Sequence, residues 1–341
     1  MDFPKIISFT LTYHCNLRCK MCGQWGQKWL FKSSPLKKDL PLEIWKKAVN
    51  EISHHPGSII TIRGGEPFLY KDIIPLLSFI KKKRIFISLD TNGTLLKKYA
   101  REIVKLRPDN INLSIDGTEK IHDRVRGMKG CYRMIKQGVN EIKKREEQGE
   151  KGSIINTICF VISPHSYKSL PQMPDVAREL KITSIAIIPF YHFDKSTGQR
   201  YEKIMTKWGF KPESWKGFHR ETSGVDPDEF ITLYKAFKKN LKNIRLIPFM
   251  NFSEKEYRSW FRDSRKPVGS KRCMNPDRLI DIQPNGDANF CVDFPDYILG
   301  NIKNNSIKEL FNNEKAKAFR RYLTKKSLPV CSRCGAKYMS Q

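Results

Sequence analysis

The chain has no apolar run approaching the roughly 20 residues that span a bilayer. It also has no basic segment followed by an apolar core at its start, because Met1-Asp2-Phe3-Pro4 leads straight into an apolar strand pattern. These two absences exclude a membrane span and an export signal as readings. A cytoplasmic chain is the expectation, and stable disulfides are rare in that compartment. Internal repeats and low-complexity linkers are missing as well. Acidic residues are scarce: 35 Asp and Glu stand against 63 Lys and Arg, for a net charge of +28. Such an excess admits a nucleic-acid partner. The lysines are spread along the chain, however (Lys81, Lys82, Lys83, Lys143, Lys144, Lys238, Lys239), and no segment is a pure basic tail. Solvated helix faces account for that distribution, so nucleic acid is not favoured. An anionic small molecule or an acidic peptide suits the charge equally well.

What is present is an alternation of two periodicities. Apolar runs of strand length occupy 6–12, 58–62, 85–90, 110–115, 154–162 and 183–189. Amphipathic stretches of helix length fall between them at 42–53, 73–83, 95–106, 132–147 and 169–180. Strands apolar almost throughout belong to a sheet covered on both faces. Repeated βα units imply parallel strands with right-handed crossovers. Six such strands suit either an open doubly wound sheet or a partial barrel, and the pattern does not decide between them. From His192 to Arg265 the pattern changes to aromatics and charges, with a helix over 227–240 that Asp226 caps. The remainder predicts a hairpin around Pro284-Asn285-Gly286-Asp287, a helix over about 307–323, and then a final cysteine pair.

Nine cysteines in a reducing compartment call for an explanation other than disulfides, and seven of them form two groups. The first is Cys15-Asn16-Leu17-Arg18-Cys19-Lys20-Met21-Cys22. Three thiolates on one short loop can hold three irons of a cubane and leave the fourth open to a ligand. A zinc site with His14 as the fourth ligand is the alternative from spacing alone.

This segment resembles the CxxxCxxC signature of the radical S-adenosylmethionine (SAM) superfamily. The resemblance implies an α/β fold, a partial (β/α)6 barrel, with a [4Fe–4S] cluster at Cys15, Cys19 and Cys22 whose open iron chelates SAM. It implies reductive cleavage of SAM to methionine and a 5′-deoxyadenosyl radical that takes a hydrogen atom from a substrate, with an electron donor such as flavodoxin or ferredoxin. Met21 stands where the family commonly has an aromatic residue near the adenine, and a thioether can fill that apolar role. Gly64-Gly65-Glu66-Pro67 resembles the family's GGEP motif. Two glycines permit close backbone approach, and Glu66 offers a carboxylate to the SAM ammonium. Ser114-Ile115-Asp116-Gly117 and His122-Asp123-Arg124-Val125-Arg126-Gly127 resemble a further family pattern. By that match Ser114 contacts the ribose and Arg126 the SAM carboxylate, while Asp116 is polar lining or substrate-facing. Asn92, in Thr91-Asn92-Gly93, matches a family turn near the cofactor.

The second group is Cys273, Cys291 after an intervening Gly286, and Cys331-Ser332-Arg333-Cys334. The spacing resembles the SPASM or twitch extension, which implies one auxiliary [4Fe–4S] cluster with all four irons ligated. A four-cysteine zinc site is the alternative. Because the sequence given stops seven residues after Cys334, a second auxiliary cluster is not expected, and because the first strand begins almost at the N-terminus, neither is a fused leader-binding domain before the barrel. The implied organisation is a barrel core at 1–225, a connecting region at 226–266 and a cluster domain at 267–341. Cys131 and Cys159 match no ligand spacing and read as packing residues. The alternative for them is hydrogen-atom donation to a product radical. The functional expectation is an oxidoreductase-type enzyme that oxidises or crosslinks a peptide or small molecule, served in the peptide case by a separate leader-binding protein. A nucleic-acid-modifying enzyme and a redox-neutral peptide epimerase are the alternatives.

Overall fold

The computed structural model describes residues 2–24, 38–148, 154–269 and 272–338. Seven parallel strands lie side by side in chain order: β1 (Ile6–Thr10), β2 (Ile59–Arg63), β3 (Phe86–Thr91), β4 (Asn110–Ser114), β5 (Ile155–Ile162), β6 (Ser184–Pro189) and β7 (Arg245–Pro248). On the free side of β1 the same sheet continues through β8 (Leu279–Ile282), parallel to β1, then β9 (Asp287–Asn289) and β10 (Gly300–Asn301), which run antiparallel. The C-terminal cysteine segment is therefore an extension of the barrel sheet, held edge to edge by backbone hydrogen bonds.

Six strands were expected in the barrel, and the structure adds β7. Its sequence, Arg-Leu-Ile-Pro, is four residues long with polar or proline ends, too short to register as an apolar run. The helix expected over 307–323 is two helices, α11 (Ile307–Asn312) and α12 (Glu314–Lys325), because Asn313 leaves helical geometry and caps the second through Ala316 N–H. The hairpin falls between β8 and β9 as predicted, closed by hydrogen bonds from Gly286 N–H to Gln283 and from Gln283 N–H to Asp287.

The outer helices form where apolar residues recur at 3.6-residue spacing. In α1 (Leu42–Ser53) the stripe is Trp45, Ala48, Val49 and Ile52. Then come α2 (Ile73–Lys82), α3 (Leu96–Leu106), α4 (Glu119–Arg126) and α5 (Cys131–Glu147). They are followed by α6 (Met173–Glu179), α7 (Lys195–Lys207), α8 (Pro227–Asn240), α9 (Glu254–Arg262) and the short α10 (Asn275–Arg278). Asp226 caps α8 through the N–H groups of Asp228 and Glu229. The apolar residues of the strands pack under this helical layer: Ile60 and Ile62 on β2, Ile87 and Leu89 on β3, Ile111 and Leu113 on β4, all fully buried. The residues alternating with them are polar and half-buried, namely Arg63, Ser88, Asp90, Asn112 and Ser114. They share the opposite face, where Asn112 donates to Asp90 at 2.7 Å and to Ser88 at 3.2 Å. One sheet thus carries an apolar outside and a polar concave side.

Candidate cluster and cofactor site

The three N-terminal cysteines occupy the loop leaving β1. Cys19 is buried, while Cys15 and Cys22 are half-buried. The loop turns tightly: Cys22 N–H bonds the Cys19 carbonyl at 3.1 Å and Leu17 N–H points at Cys15 Sγ at 3.4 Å. Burial first, and then the neighbouring cysteines, push the Cys15 thiol up to about 12. Met21 lies in the same core, 8% exposed.

Gly64 and Gly65 meet this loop at the end of β2. A Cβ on Gly64, at φ +154°, would lie 2.6 Å from the Thr12 carbonyl oxygen, and one on Gly65 would lie 2.2 Å from that of His14. Only glycine allows this approach, and it lets Gly65 N–H and Glu66 N–H bond Thr12 and His14, each at 2.8 Å. Glu66 is fully buried. Its carboxylate accepts from Thr91 Oγ1 at 2.8 Å, Asn92 N–H at 2.8 Å and Phe68 N–H at 3.2 Å. Burial pushes its pKa up to about 7, and these three donors, then Arg126, hold it from rising further. A carboxylate has about four acceptor positions, so capacity for a cation remains. Asn92 bridges outward as well, donating to Asn16 at 2.9 Å and approaching Cys15 Sγ at 4.0 Å. The GGEP loop, the Asn92 turn and the cysteine loop form one hydrogen-bonded unit.

Arg126 ends α4 against the cysteine loop. Arg18 N–H bonds the Arg126 carbonyl at 3.3 Å and Lys20 N–H bonds that of Val125 at 2.9 Å. Arg126 is only 7% exposed. It pairs with Asp116 at 2.6 Å and donates from Nη1 to Cys19 Sγ at 3.7 Å, while Nε is buried with no partner among the described residues. Burial opposes its charge, but Asp116 and then Cys19 hold it charged. The Arg126–Asp116 pair is buried and reaches a cysteine sulfur. Asp116 is an anchor rather than simple lining, since Oδ1 also accepts Val161 N–H at 3.0 Å. Ser114 sits at the end of β4, opposite Cys159 on β5. Cys131 is fully buried beside His122 Nε2 at 3.5 Å, a packing position. Cys159 is half-buried on the polar face, within electrostatic range of Asp90, Arg126, Asp116 and Arg63.

The second group is assembled from three segments. Cys273 precedes α10, Cys291 follows β9, and Cys331 and Cys334 lie in a single-turn knuckle where Cys334 N–H bonds the Cys331 carbonyl at 3.4 Å. Burial raises the Cys291 thiol well above its ordinary value, and Cys331, Cys273 and Cys334 raise it further, so the four sulfurs stand in mutual electrostatic range. Between the knuckle cysteines, Arg333 is fully buried and donates to the carbonyls of Trp260 at 2.9 Å, Lys266 at 2.8 Å, Ser332 at 2.6 Å, Ser259 at 3.3 Å and Asp263. This staples the knuckle to the end of α9. No three His, Cys, Asp or Glu side chains among the described residues converge on the point a single ion would occupy.

The Radical SAM superfamily model matches residues 9–160, and the SPASM iron–sulfur cluster-binding domain matches residues 273–335. The chain carries a radical SAM domain followed by a SPASM domain. As a radical SAM protein with a SPASM domain it takes a [4Fe–4S] cluster that binds SAM and an auxiliary iron–sulfur cluster. The donor sets fit: three thiols on one loop leave an open iron, and four thiols leave none. It is 27% identical over 192 residues to Fe-coproporphyrin III synthase of Methanosarcina barkeri, covering 56% of this chain and 44% of that protein. It is 22% identical over 357 residues to the subtilosin biosynthesis protein AlbA of Bacillus subtilis, covering 99% of this chain and 68% of AlbA. The chain thus spans less than half the length of the first relative and about two thirds of the second. Its fold resembles that of Streptococcus suis SuiB bound to S-adenosylmethionine, with a TM-score of 0.66 and 17% identity over 99% of this chain and 72% of SuiB. Among the described residues no helix is long and apolar enough to cross a membrane.

Sequence reading missed three residues that converge beside the auxiliary group. Tyr191, just beyond β6, places its hydroxyl 4.0 Å from Cys334 Sγ and interacts with Asp293. Arg63 lies within electrostatic range of both. Two sequence signals could have flagged them: Arg63 directly precedes Gly64, and Asp293 lies two residues after Cys291. Tyr191 carried no signal. The first cysteine loop also rests on the segment 214–218, since Cβ atoms at Gly217 and Gly23 would strike Gly23 O and the Phe218 ring.

Proposed function

We propose that this protein oxidises or crosslinks a peptide by radical chemistry. The observation that carries the reading is the union of a three-thiol loop, the Glu66 carboxylate and a separate four-thiol group along one continuous sheet. With both clusters and SAM bound, the cofactors would supply one electron for SAM cleavage to methionine and a 5′-deoxyadenosyl radical, and an acceptor for one further electron from the substrate.

The chain's own residues bind and orient. Glu66 takes the SAM ammonium with its remaining acceptor capacity. Its other lone pairs are fixed by Thr91, Asn92 and Phe68. Arg126 Nε offers an unpaired donor to the SAM carboxylate, Ser114 meets the ribose, and Met21 and Asn92 border the same site. The polar concave face holds the substrate. Cys159 lies on it, while buried Cys131 is set apart as a packing residue. The domain division at 225/226 and 266/267 stands as part of this proposal, with β7 inside the connecting segment. A reducing external donor such as flavodoxin or ferredoxin, and a separate leader-binding protein, complete the system. Support for a peptide comes from the fold shared with SuiB, whose structure is also known bound to its precursor peptide SuiA.

The test uses deuterated substrate pools. Protein reconstituted anaerobically and reduced is incubated with SAM and a perdeuterated peptide extract, a perdeuterated small-molecule extract or deuterated RNA. Deuterium in 5′-deoxyadenosine from the peptide pool supports the reading. Label arriving only from RNA or from small molecules contradicts it.

A further inference from the structure

We propose that Arg126, braced by Asp116, sets the reduction potential of the cluster held by Cys15, Cys19 and Cys22. The proposal rests on that cluster assignment and is separate from any contact between Arg126 and SAM. Arg126 Nη1 donates to the Cys19 sulfur at 3.7 Å while Nη2 is held by Asp116 at 2.6 Å. The arrangement is built from several sides. The end of α4 is fastened to the cysteine loop by the Arg18 and Lys20 N–H groups. The turn that follows is Gly127, at φ +72°, where a Cβ would lie 2.8 Å from the Arg18 carbonyl oxygen. Asp116 is fixed by Val161 N–H on Oδ1, and its own N–H donates to His122 Nδ1 at 3.2 Å. His122 is buried, its pKa well below the usual imidazole value, so it stays neutral beside the pair. A cation is thus locked onto a ligand sulfur, with its counter-charge on the far side.

Hydrogen bonds to cluster sulfurs and local charge are established levers on cluster potential. One electron added by an external one-electron donor leaves the cluster more negative, with no bond made or broken. A guanidinium donor on a ligand sulfur stabilises that form and raises the potential. Asp116 opposes this and tempers it. The two partners of one salt bridge should therefore act with opposite signs, which a purely structural pair would not do.

The experiment is an EPR-monitored dithionite titration of full-length reconstituted protein without SAM, the relevant signal being the one that responds when SAM is added to a parallel sample. Arg126→Gln is expected to shift the midpoint to lower potential by at least a tenfold change in the oxidised-to-reduced ratio, about 59 mV for one electron. Asp116→Asn should shift it upward, and Arg126→Lys should recover part of the loss. If Arg126→Gln fails to hold iron, an upward shift in Asp116→Asn alone still supports the proposal, and an unmoved one overturns it. Midpoints unchanged in both variants, or moved in the same direction, overturn it. Wild-type protein with no SAM-responsive cluster would overturn the cluster assignment itself, and this proposal with it.

Discussion

The two cysteine groups are built by opposite means. The N-terminal group is local, with three cysteines inside eight residues on one loop, held against a turn of glycines and the end of α4. The C-terminal group is global, with four cysteines from three segments in a region where β8 pairs with β1 and Arg333 staples the knuckle to α9. On the proposed function the contrast follows from what each site would do. An open iron must face a cofactor, so its ligands are confined to a loop at the mouth of the barrel. A closed cluster can be a cross-link between segments, and its binding energy then also folds the region that holds it.

The contrast is broken or sharpened most strongly by removing each group in turn. Changing Cys15, Cys19 and Cys22 to Ala should lower bound iron from about eight to about four and abolish SAM cleavage, measured by iron assay and product chromatography. Changing Cys331 and Cys334 to Ala should cost the same iron yet leave the SAM-responsive EPR signal and uncoupled SAM cleavage in place, with substrate product lost. If both variants lose SAM cleavage equally, the separation of roles fails.

Arg333→Ala tests the staple without touching a ligand. It leaves five carbonyls without their donor at a fully buried position, at a cost of at least about 3 kcal/mol for lost charge-assisted hydrogen bonds. The expected result is selective loss of the auxiliary cluster, with the SAM-responsive signal retained. Loss of both clusters would show that the knuckle supports the whole sheet.

The next effect is a proton. Glu66, with a pKa pushed up to about 7 by burial, is mostly protonated at pH 6 in the free protein. An ammonium beside it favours the carboxylate, so SAM binding at pH 6 should release up to about one proton, falling towards zero above pH 8. Calorimetry in buffers of different ionisation enthalpy reads this directly. Glu66→Gln should abolish the release, and a persisting release would place the titrating group elsewhere. The smallest effect is expected from Thr91→Val, which removes one of three donors to Glu66. SAM binding should weaken by about 0.5–1.5 kcal/mol, measured as a dissociation constant; an unchanged constant would show that Thr91 does not help position Glu66.

How much was legible in the sequence divides along the same line. The first six strands could be read from periodicity, and the cysteine loop and the GGEP turn from their resemblance to the family's motifs, because all of them are local. Helix α1 fell on 42–53 as predicted, its stripe of Trp45, Ala48, Val49 and Ile52 being regular. What could not be read depends on contacts between distant residues. Strand β7 exists because β6 offers it an edge, and its own four residues carry no signal. The Arg126–Cys19 contact joins residues far apart in the chain, so Arg126 was assigned to SAM alone. Tyr191 meets Cys334 only because the knuckle docks at the end of β6, where a Cβ on Gly335 would lie 2.5 Å from Pro189.

The most direct measurement is the fate of SAM on the reduced, reconstituted protein under anaerobic conditions, followed by mass spectrometry. Wild-type protein is expected to yield 5′-deoxyadenosine and methionine in equal amounts, as should the Cys331→Ala, Cys334→Ala variant, while the variant lacking Cys15, Cys19 and Cys22 yields neither. S-adenosylhomocysteine as the sole product, or cleavage that survives loss of those three cysteines, would contradict radical SAM chemistry at this site.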